Sequence, residues 1–98
     1  MMSIPVKEPR FTDKQGQYLA FIYAYTVVNG RPPAEADMRR HFGVTPPTVH
    51  QMIVALADAS LIRRTEGVAR SIELLVQADQ LPVLRPGRQS IKTSVQRY

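Results

Sequence analysis

Two helical segments of this chain are separated by only three residues, Gly43, Val44 and Thr45. Gly43 suits the end of the first segment because glycine readily takes the left-handed conformation after a last helical turn. Thr45 is a good N-cap for the second segment, and Pro46 suits a first helical position, where its missing N–H would be unpaired in any case. A helix, a tight turn with glycine and a second helix form the layout of a helix-turn-helix.

The second of these segments, residues 45–59, has two different faces when it is drawn as a helix. At about 100° per residue, one face collects the apolar side chains Val49, Met52, Ile53 and Leu56. The opposite face carries small and hydrogen-bonding side chains near its N-terminal end, as in helices that enter a major groove. A surface helix with a solvated face explains the same pattern, so both interpretations stay open for this stretch alone.

Two helices are predicted before the turn, and the second of them is the segment that ends at Gly43. The first, Thr12–Val28, opens with a capping box formed by Thr12 and Gln15 and ends at Gly30. The second, Ala34–Phe42, is short and carries carboxylates in its first turn, where they favour the helix dipole. The predicted core residues are Leu19, Ile22, Met38, Phe42, Val49, Ile53, Leu56, Leu61, Ile72 and Leu74.

Two short strands, residues 61–65 and 71–76, are predicted after the third helix, joined by loop residues 66–70. Gly67 supplies the unusual backbone angle that such a hairpin loop needs. Arg70 is predicted near the tip, where an arginine reaches a phosphate or the minor groove, although a solvated loop residue is an equal alternative. The predicted fold is therefore mainly α with a small β-hairpin: a winged helix-turn-helix of three helices and a two-stranded wing.

Ninety-eight residues are enough for one domain with a single modest core. The formal charge of +5, from 13 Lys and Arg against 8 Asp and Glu, suggests a polyanionic partner. The excess is uneven: the formal charge is +2 for residues 1–44, 0 for residues 45–76 and +3 for residues 77–98. The predicted third helix and wing are thus neutral overall.

Composition and motifs give little support to catalysis. The chain has no Cys, and His41 and His50 are its only histidines, with no metal-binding spacing between them. It has no Gly-rich phosphate loop, no apolar run of about 18 residues, and no apolar signal-peptide core in residues 1–10. We predict a cytoplasmic protein without enzymatic activity, cofactor, metal, membrane segment or small-molecule ligand.

Several short motifs follow one another in a fixed order along residues 11–76. They are Phe11-Thr12, Gln15, Gly30-x-Pro32-Pro33, Ala36-Asp37-Met38, Gly43, Thr45-Pro46, Ala55-Leu56-Ala57, Leu61-Ile62, Gly67-x-x-Arg70 and Ile72-x-Leu74-Leu75. The segment with two prolines and the Gly-x-x-Arg wing are the more specific of them. In this order the motifs resemble the N-terminal winged helix of LexA-type repressors.

The resemblance implies a sequence-specific regulator that binds double-stranded DNA, more specifically a repressor. The base-reading positions of the family map onto Thr45, Pro47, Thr48, His50 and Gln51. The arginines that we expect to contact the DNA backbone are Arg39, Arg40, Arg63, Arg64 and Arg70. No catalytic, metal or cofactor residue is implied.

This chain departs from the family pattern in three respects. Ala34 stands where the family has a helix cap, and the recognition face lacks the acidic and amide pattern of family members, so no operator sequence is carried over. The family's second domain, a self-cleaving serine–lysine peptidase that also dimerises, has no counterpart in the 22 residues after residue 76. We therefore expect no self-cleavage, and any dimer must form in another way.

Two alternatives to a DNA-binding regulator stay open. One is a winged helix that binds protein, because such domains lose their basic face and residues 45–76 are neutral. The other is a small partner subunit of a larger regulator. Arginines flanking one face of the third helix and wing would favour DNA.

The two chain ends are predicted to lie outside the winged helix. Residues 1–10 form an N-terminal arm and residues 77–98 a basic C-terminal tail. Within the tail, residues 91–96 alternate weakly between apolar and polar side chains, as in a strand. Residues 81–98 could form a homodimer by strand pairing, or the tail could add non-specific DNA affinity; both interpretations stay open.

Overall fold

The computed structural model describes residues 10–87. Most of the predicted N-terminal arm, and residues 88–98 of the predicted tail with their strand pattern, lie outside the described residues. The elements are the helices α1 (Asp13–Asn29), α2 (Glu35–Phe42) and α3 (Pro46–Asp58), the strands β1 (Ile62–Arg63) and β2 (Glu73–Leu74), and a 3₁₀ turn (Ala78–Gln80). The predicted fold, three helices followed by a two-stranded wing, is confirmed.

Helix α1 begins and ends where local chemistry predicts. Thr12 Oγ1 accepts a hydrogen bond from the Gln15 N–H at 3.1 Å, and Gln15 Oε1 accepts one from the Thr12 N–H at 2.9 Å, which completes the capping box. Gly30 has φ 76°, and its N–H donates to the Thr26 carbonyl at 2.8 Å. The left-handed C-cap satisfies a carbonyl that the helix alone would leave unpaired.

The turn between α2 and α3 is also formed by its local residues. Gly43 takes φ 67°, and Thr45 Oγ1 accepts a hydrogen bond from the Thr48 N–H at 3.4 Å. At the start of α2, Ala34 has no side-chain acceptor, but the Asp37 carboxylate accepts from the Ala34 N–H at 2.8 Å. Asp37 therefore supplies one half of a capping box whose other half is missing.

The core lies between the three helices and the wing. Its buried members are Tyr18, Leu19, Ile22, Met38, Val49, Ile53, Leu56, Leu61, Ile62 and Ile72. Phe42 and Leu74, which the sequence places in the core, are only half-buried at its edge. Phe42 stacks on the ring of Tyr18 with a centroid distance of 4.0 Å, so it closes the core from the side of α2.

The wing has shorter strands than the sequence predicts. Its antiparallel pairs are Ile62 with Leu74 and Arg63 with Glu73, instead of strands over residues 61–65 and 71–76. Beyond them the Ser71 side chain takes over: its hydroxyl accepts from the Thr65 N–H at 3.0 Å and lies 2.8 Å from the Val68 carbonyl. Side-chain hydrogen bonds of this kind compete with a strand ladder and end it early.

Residues 81–87, which we call the strap, fold back onto α1. Gln17 is buried there, with its Nε2 donating to the Val83 carbonyl at 2.9 Å and its Oε1 accepting from the Arg85 N–H at 2.8 Å. The Arg85 guanidinium pairs with Asp13 at 2.7 Å. Gly87 packs against the His41 carbonyl, where a Cβ atom would clash. The described chain thus ends beside the last turn of α2.

Within residues 10–87, no helix combines the length and apolarity that crossing a membrane requires.

Candidate nucleic-acid interface

The N-terminal half of α3 presents the five predicted base-reading residues to solvent. Thr45, Pro47, Thr48, His50 and Gln51 are all exposed. On the opposite side of the helix, Val49, Ile53 and Leu56 are buried. One face of α3 therefore packs against the core, while the other face is exposed and able to enter the major groove of DNA.

A carboxylate lies beside this surface. His50 Nδ1 is 3.6 Å from Glu35 Oε2 in the first turn of α2, and both side chains are about half exposed. The two groups form an ion pair when the imidazole is protonated. The sequence assigns Glu35 only to the helix dipole, because nothing in the local pattern shows that α2 starts next to His50.

The predicted backbone-contacting arginines differ in their surroundings. Arg40 pairs with Asp37 at 2.6 Å and Arg63 with Glu73 at 2.7 Å, although both arginine side chains are about two-thirds exposed. Arg39 is exposed and Arg64 half-buried. Among residues 10–87, neither of these two forms an ion pair within 4.0 Å.

Arg70 is placed differently from the tip position that the sequence predicts. Residues 65–69 form the exposed end of the wing, and Arg70 follows them with φ 57°. Its Nη1 lies 3.1 Å from the Tyr25 hydroxyl, 3.2 Å from the Pro32 carbonyl oxygen and 3.1 Å from Asp37 Oδ2. The guanidinium therefore contacts the helical body of the domain.

Asp37 is the centre of this arrangement. It accepts hydrogen bonds from the Ala34 N–H, from Arg40 and from Arg70, and its side chain is 10% exposed. Desolvation on its own raises the pKa of Asp37, but the Ala34 N–H, Arg70, Tyr25 and Arg40 together lower that pKa below its usual value.

The lowered pKa of Asp37 predicts a loss of stability in acid. A carboxyl whose pKa is depressed on folding stabilises the fold above its unfolded-state pKa, and that contribution is lost as the pH falls through the folded-state pKa. We expect the destabilisation caused by Asp37→Asn to be largest near pH 7 and to shrink below roughly pH 4. Denaturant unfolding across this pH range measures it.

Asp58→Asn, at the exposed end of α3, is the matched control for this prediction. A destabilisation by Asp37→Asn that does not change with pH would show that the Asp37 charge has no part in holding the fold.

A helix-turn-helix with a following β-hairpin, and with an exposed hydrogen-bonding face on its second helix, defines the winged helix-turn-helix class of DNA-binding domains. The family model described as LexA DNA binding domain matches residues 8–71. The chain belongs to the LexA DNA-binding domain family.

Curated relatives support the same assignment. Over 89 residues the chain is 29% identical to the LexA repressor of Thermosipho melanesiensis. The aligned stretch covers 91% of this chain and 45% of that protein. Over 74 residues it is 32% identical to the LexA repressor of Leptospira interrogans, covering 74% of this chain and 36% of that protein. The chain thus spans less than half the length of these relatives.

Proposed function

We propose that this chain is a sequence-specific transcriptional repressor that reads the major groove of double-stranded DNA with α3. The exposed N-terminal face of α3 carries the proposal, because it places hydrogen-bonding side chains on the open side of a helix anchored in the core. Thr48, His50 and Gln51 contact bases in this proposal, while Thr45 and Pro47 flank them. Its relatives in Thermosipho melanesiensis and Leptospira interrogans are LexA repressors, which supports repression as the direction of regulation.

Backbone contacts come from the arginines near α3. Arg39 and Arg64, which form no ion pair among the described residues, contact phosphates directly. Arg63 and its partner Glu73 are both exposed, so Arg63 exchanges its carboxylate for a phosphate, since exposed ion pairs are weak. Arg40 is bound to the buried Asp37 through Nη2 alone, and the rest of its exposed guanidinium contacts a phosphate. Because residues 45–76 carry no net charge, shape and base contacts must supply more of the affinity than in a strongly basic domain.

Selection from a pool of random duplex DNA tests this proposal. We expect a short enriched sequence whose bound fraction falls with added salt, because phosphate contacts release counterions. Selection that enriches no sequence would contradict the proposal and favour the alternative of a winged helix that binds protein. A pool of single-stranded DNA of the same composition is the control for general polyanion binding.

We further propose that the chain forms a homodimer on an inverted repeat, through its C-terminal residues. A single winged helix buries only about 600–1,000 Å² on DNA, and specific regulators commonly double this by dimerising. Residues 81–98 were predicted to supply the pairing strand. Within the strap, the Val83 carbonyl and the Arg85 N–H already bind Gln17, so the proposal narrows to residues 88–98.

Deletion of residues 88–98 tests the dimer without removing the strap. We expect the truncated protein to sediment as a monomer and to lose its preference for paired half-sites. If the full chain is itself monomeric, alone and on DNA, the dimer proposal fails. Replacing Arg88, Lys92 and Arg97 with Gln is the control, since it removes charge without changing the length. A dimer formed by strand pairing survives this change, whereas a tail that only adds phosphate contacts loses up to about 3 from the salt slope.

The cytoplasmic location predicted from the sequence remains a prediction.

A further inference from the structure

We infer that Arg70 is a positioning residue, which fixes the angle of the wing relative to the helices. Its effect on DNA binding rests on the proposed function, whereas its effect on the wing does not. The sequence predicts that Arg70 contacts a DNA phosphate, whereas in the structure its guanidinium contacts Asp37 within the domain.

The contacts of Arg70 join the wing to three separate parts of the domain. Its Nη1 reaches the Tyr25 hydroxyl of α1, the Pro32 carbonyl of the connector and the Asp37 carboxylate of α2, all between 3.1 and 3.2 Å. The guanidinium carbon also lies 5.9 Å from the centre of the Tyr25 ring. One side chain from the wing therefore binds all three segments.

The rest of the wing loop is held by bonds within itself, from Ser71 to Thr65 and Val68, which do not join it to the helices. Each strand pairs over only two residues, and a hairpin this short is not stable on its own. A cavity of about 260 Å³ lies between the loop and the helices, open to solvent. Its lining includes Pro33, Glu35, Ile53, Val68 and Ile72. Across this gap, Arg70 provides the ion pair that links the loop to α2.

The positive charge of Arg70 is already paired with a carboxylate of the domain. Asp37 is nine-tenths buried and already binds Arg70 and the Ala34 N–H through the same oxygen, Oδ2. Moving Arg70 to a phosphate would leave that buried oxygen with one partner fewer, which carries a desolvation penalty. A phosphate contact that drew Nη1 away from Asp37 would carry this penalty, so the geometry favours the internal position of Nη1.

The substitution Arg70→Lys distinguishes a positioning role of Arg70 from a direct contact with a phosphate. A lysine keeps the point charge that a single phosphate contact needs. It ends one bond short of Nη1, the atom that makes all three internal contacts, and it lacks the guanidinium plane beside the Tyr25 ring. We expect Arg70→Lys to weaken binding to the selected duplex on the order of tenfold, the size of a coupling of about 1.4 kcal/mol. Binding within twofold of wild type, with unchanged wing exchange, would overturn the inference.

Asp37→Asn gives a test of opposite sign. Removing a negative charge strengthens DNA binding if electrostatics alone matters, whereas loss of the positioning contact weakens it. Asparagine keeps an acceptor for the Ala34 N–H, so the start of α2 is preserved. In the Asp37→Asn background, Arg70→Lys should have a smaller effect than in the wild type, because the ion pair is already lost and only the contacts with Tyr25 and Pro32 remain. Independent, additive effects would contradict the inference.

Tyr25→Phe and Tyr23→Phe form a matched pair. Only the first removes a hydroxyl that Arg70 contacts, since Tyr23 is exposed on the same helix. We expect Tyr25→Phe alone to speed hydrogen exchange at the Thr65 and Val68 amides, which are hydrogen-bonded within the loop, while exchange in α3 stays unchanged. Hydrogen exchange is measured on the protein without DNA. It therefore tests the positioning role of Arg70 even if the proposed DNA-binding function is wrong. All variants are compared at a temperature where circular dichroism shows them folded.

Discussion

Replacing Leu56 with alanine should lower the free energy of unfolding by on the order of 2–5 kcal/mol. Leu56 is 0% exposed and lies on the buried side of α3. The substitution removes apolar contacts and leaves a cavity that the surrounding helices fill only in part. A loss of this size is a large share of the 5–15 kcal/mol that typically holds a small domain together.

Leu75→Ala is the matched control, because it is the same chemical change at the edge of the wing, where Leu75 is 44% exposed. Denaturant unfolding of both variants, with equal m-values, gives the comparison. Equal and small losses for the two leucines would mean that α3 does not pack by the Leu56 face. The exposed face with Gln51 would then have to be assigned again.

The helices could be predicted from the sequence because their boundaries are set by neighbours in the chain. Thr12 and Gln15 form a capping box three residues apart, and Gly30 and Gly43 take the left-handed conformation that ends α1 and α2. Helix phase is equally local, so the burial of Leu56 followed from the apolar period.

The internal contacts of Arg70 could not be predicted from the sequence, because they are not local. Its partners Tyr25 and Asp37 lie 45 and 33 residues away in the chain. A hydrogen bond between distant residues leaves no periodic signal in one sequence, and Arg70 looks from its neighbours like any loop arginine. The sequence shows Asp37 only as a carboxylate in the first turn of α2. Its contact with Arg70, which is distant in the chain, leaves no mark in the local pattern.

The strap was missed for a related reason. Gln17 is a polar residue in a helix, and no neighbouring residue indicates that its amide is buried under Val83 and Arg85, 66 and 68 positions later. The charge count therefore assigned Arg85 to a free basic tail, whereas its guanidinium is paired with Asp13. Counting charge along the chain cannot show which charges neutralise one another in space.

Gln51 carries the sharpest prediction about specificity. Its side chain is exposed on α3, about one turn from the N-terminal end of the helix, where recognition helices contact base edges. A glutamine amide can donate to and accept from one adenine edge at the same time. We expect Gln51→Ala to relax the preference at one base pair by roughly 1–3 kcal/mol and to leave the other positions unchanged.

Gln80→Ala is the control, because Gln80 is also exposed but lies in the 3₁₀ turn after the wing. The measurement is the affinity of each variant for the selected duplex and for single-base variants of it, at one fixed salt concentration. Both substitutions should leave thermal unfolding nearly unchanged, since exposed side chains contribute little to stability. If Gln51→Ala weakens every duplex by the same factor, Gln51 contacts the backbone and the specificity of α3 must come from Thr48 and His50.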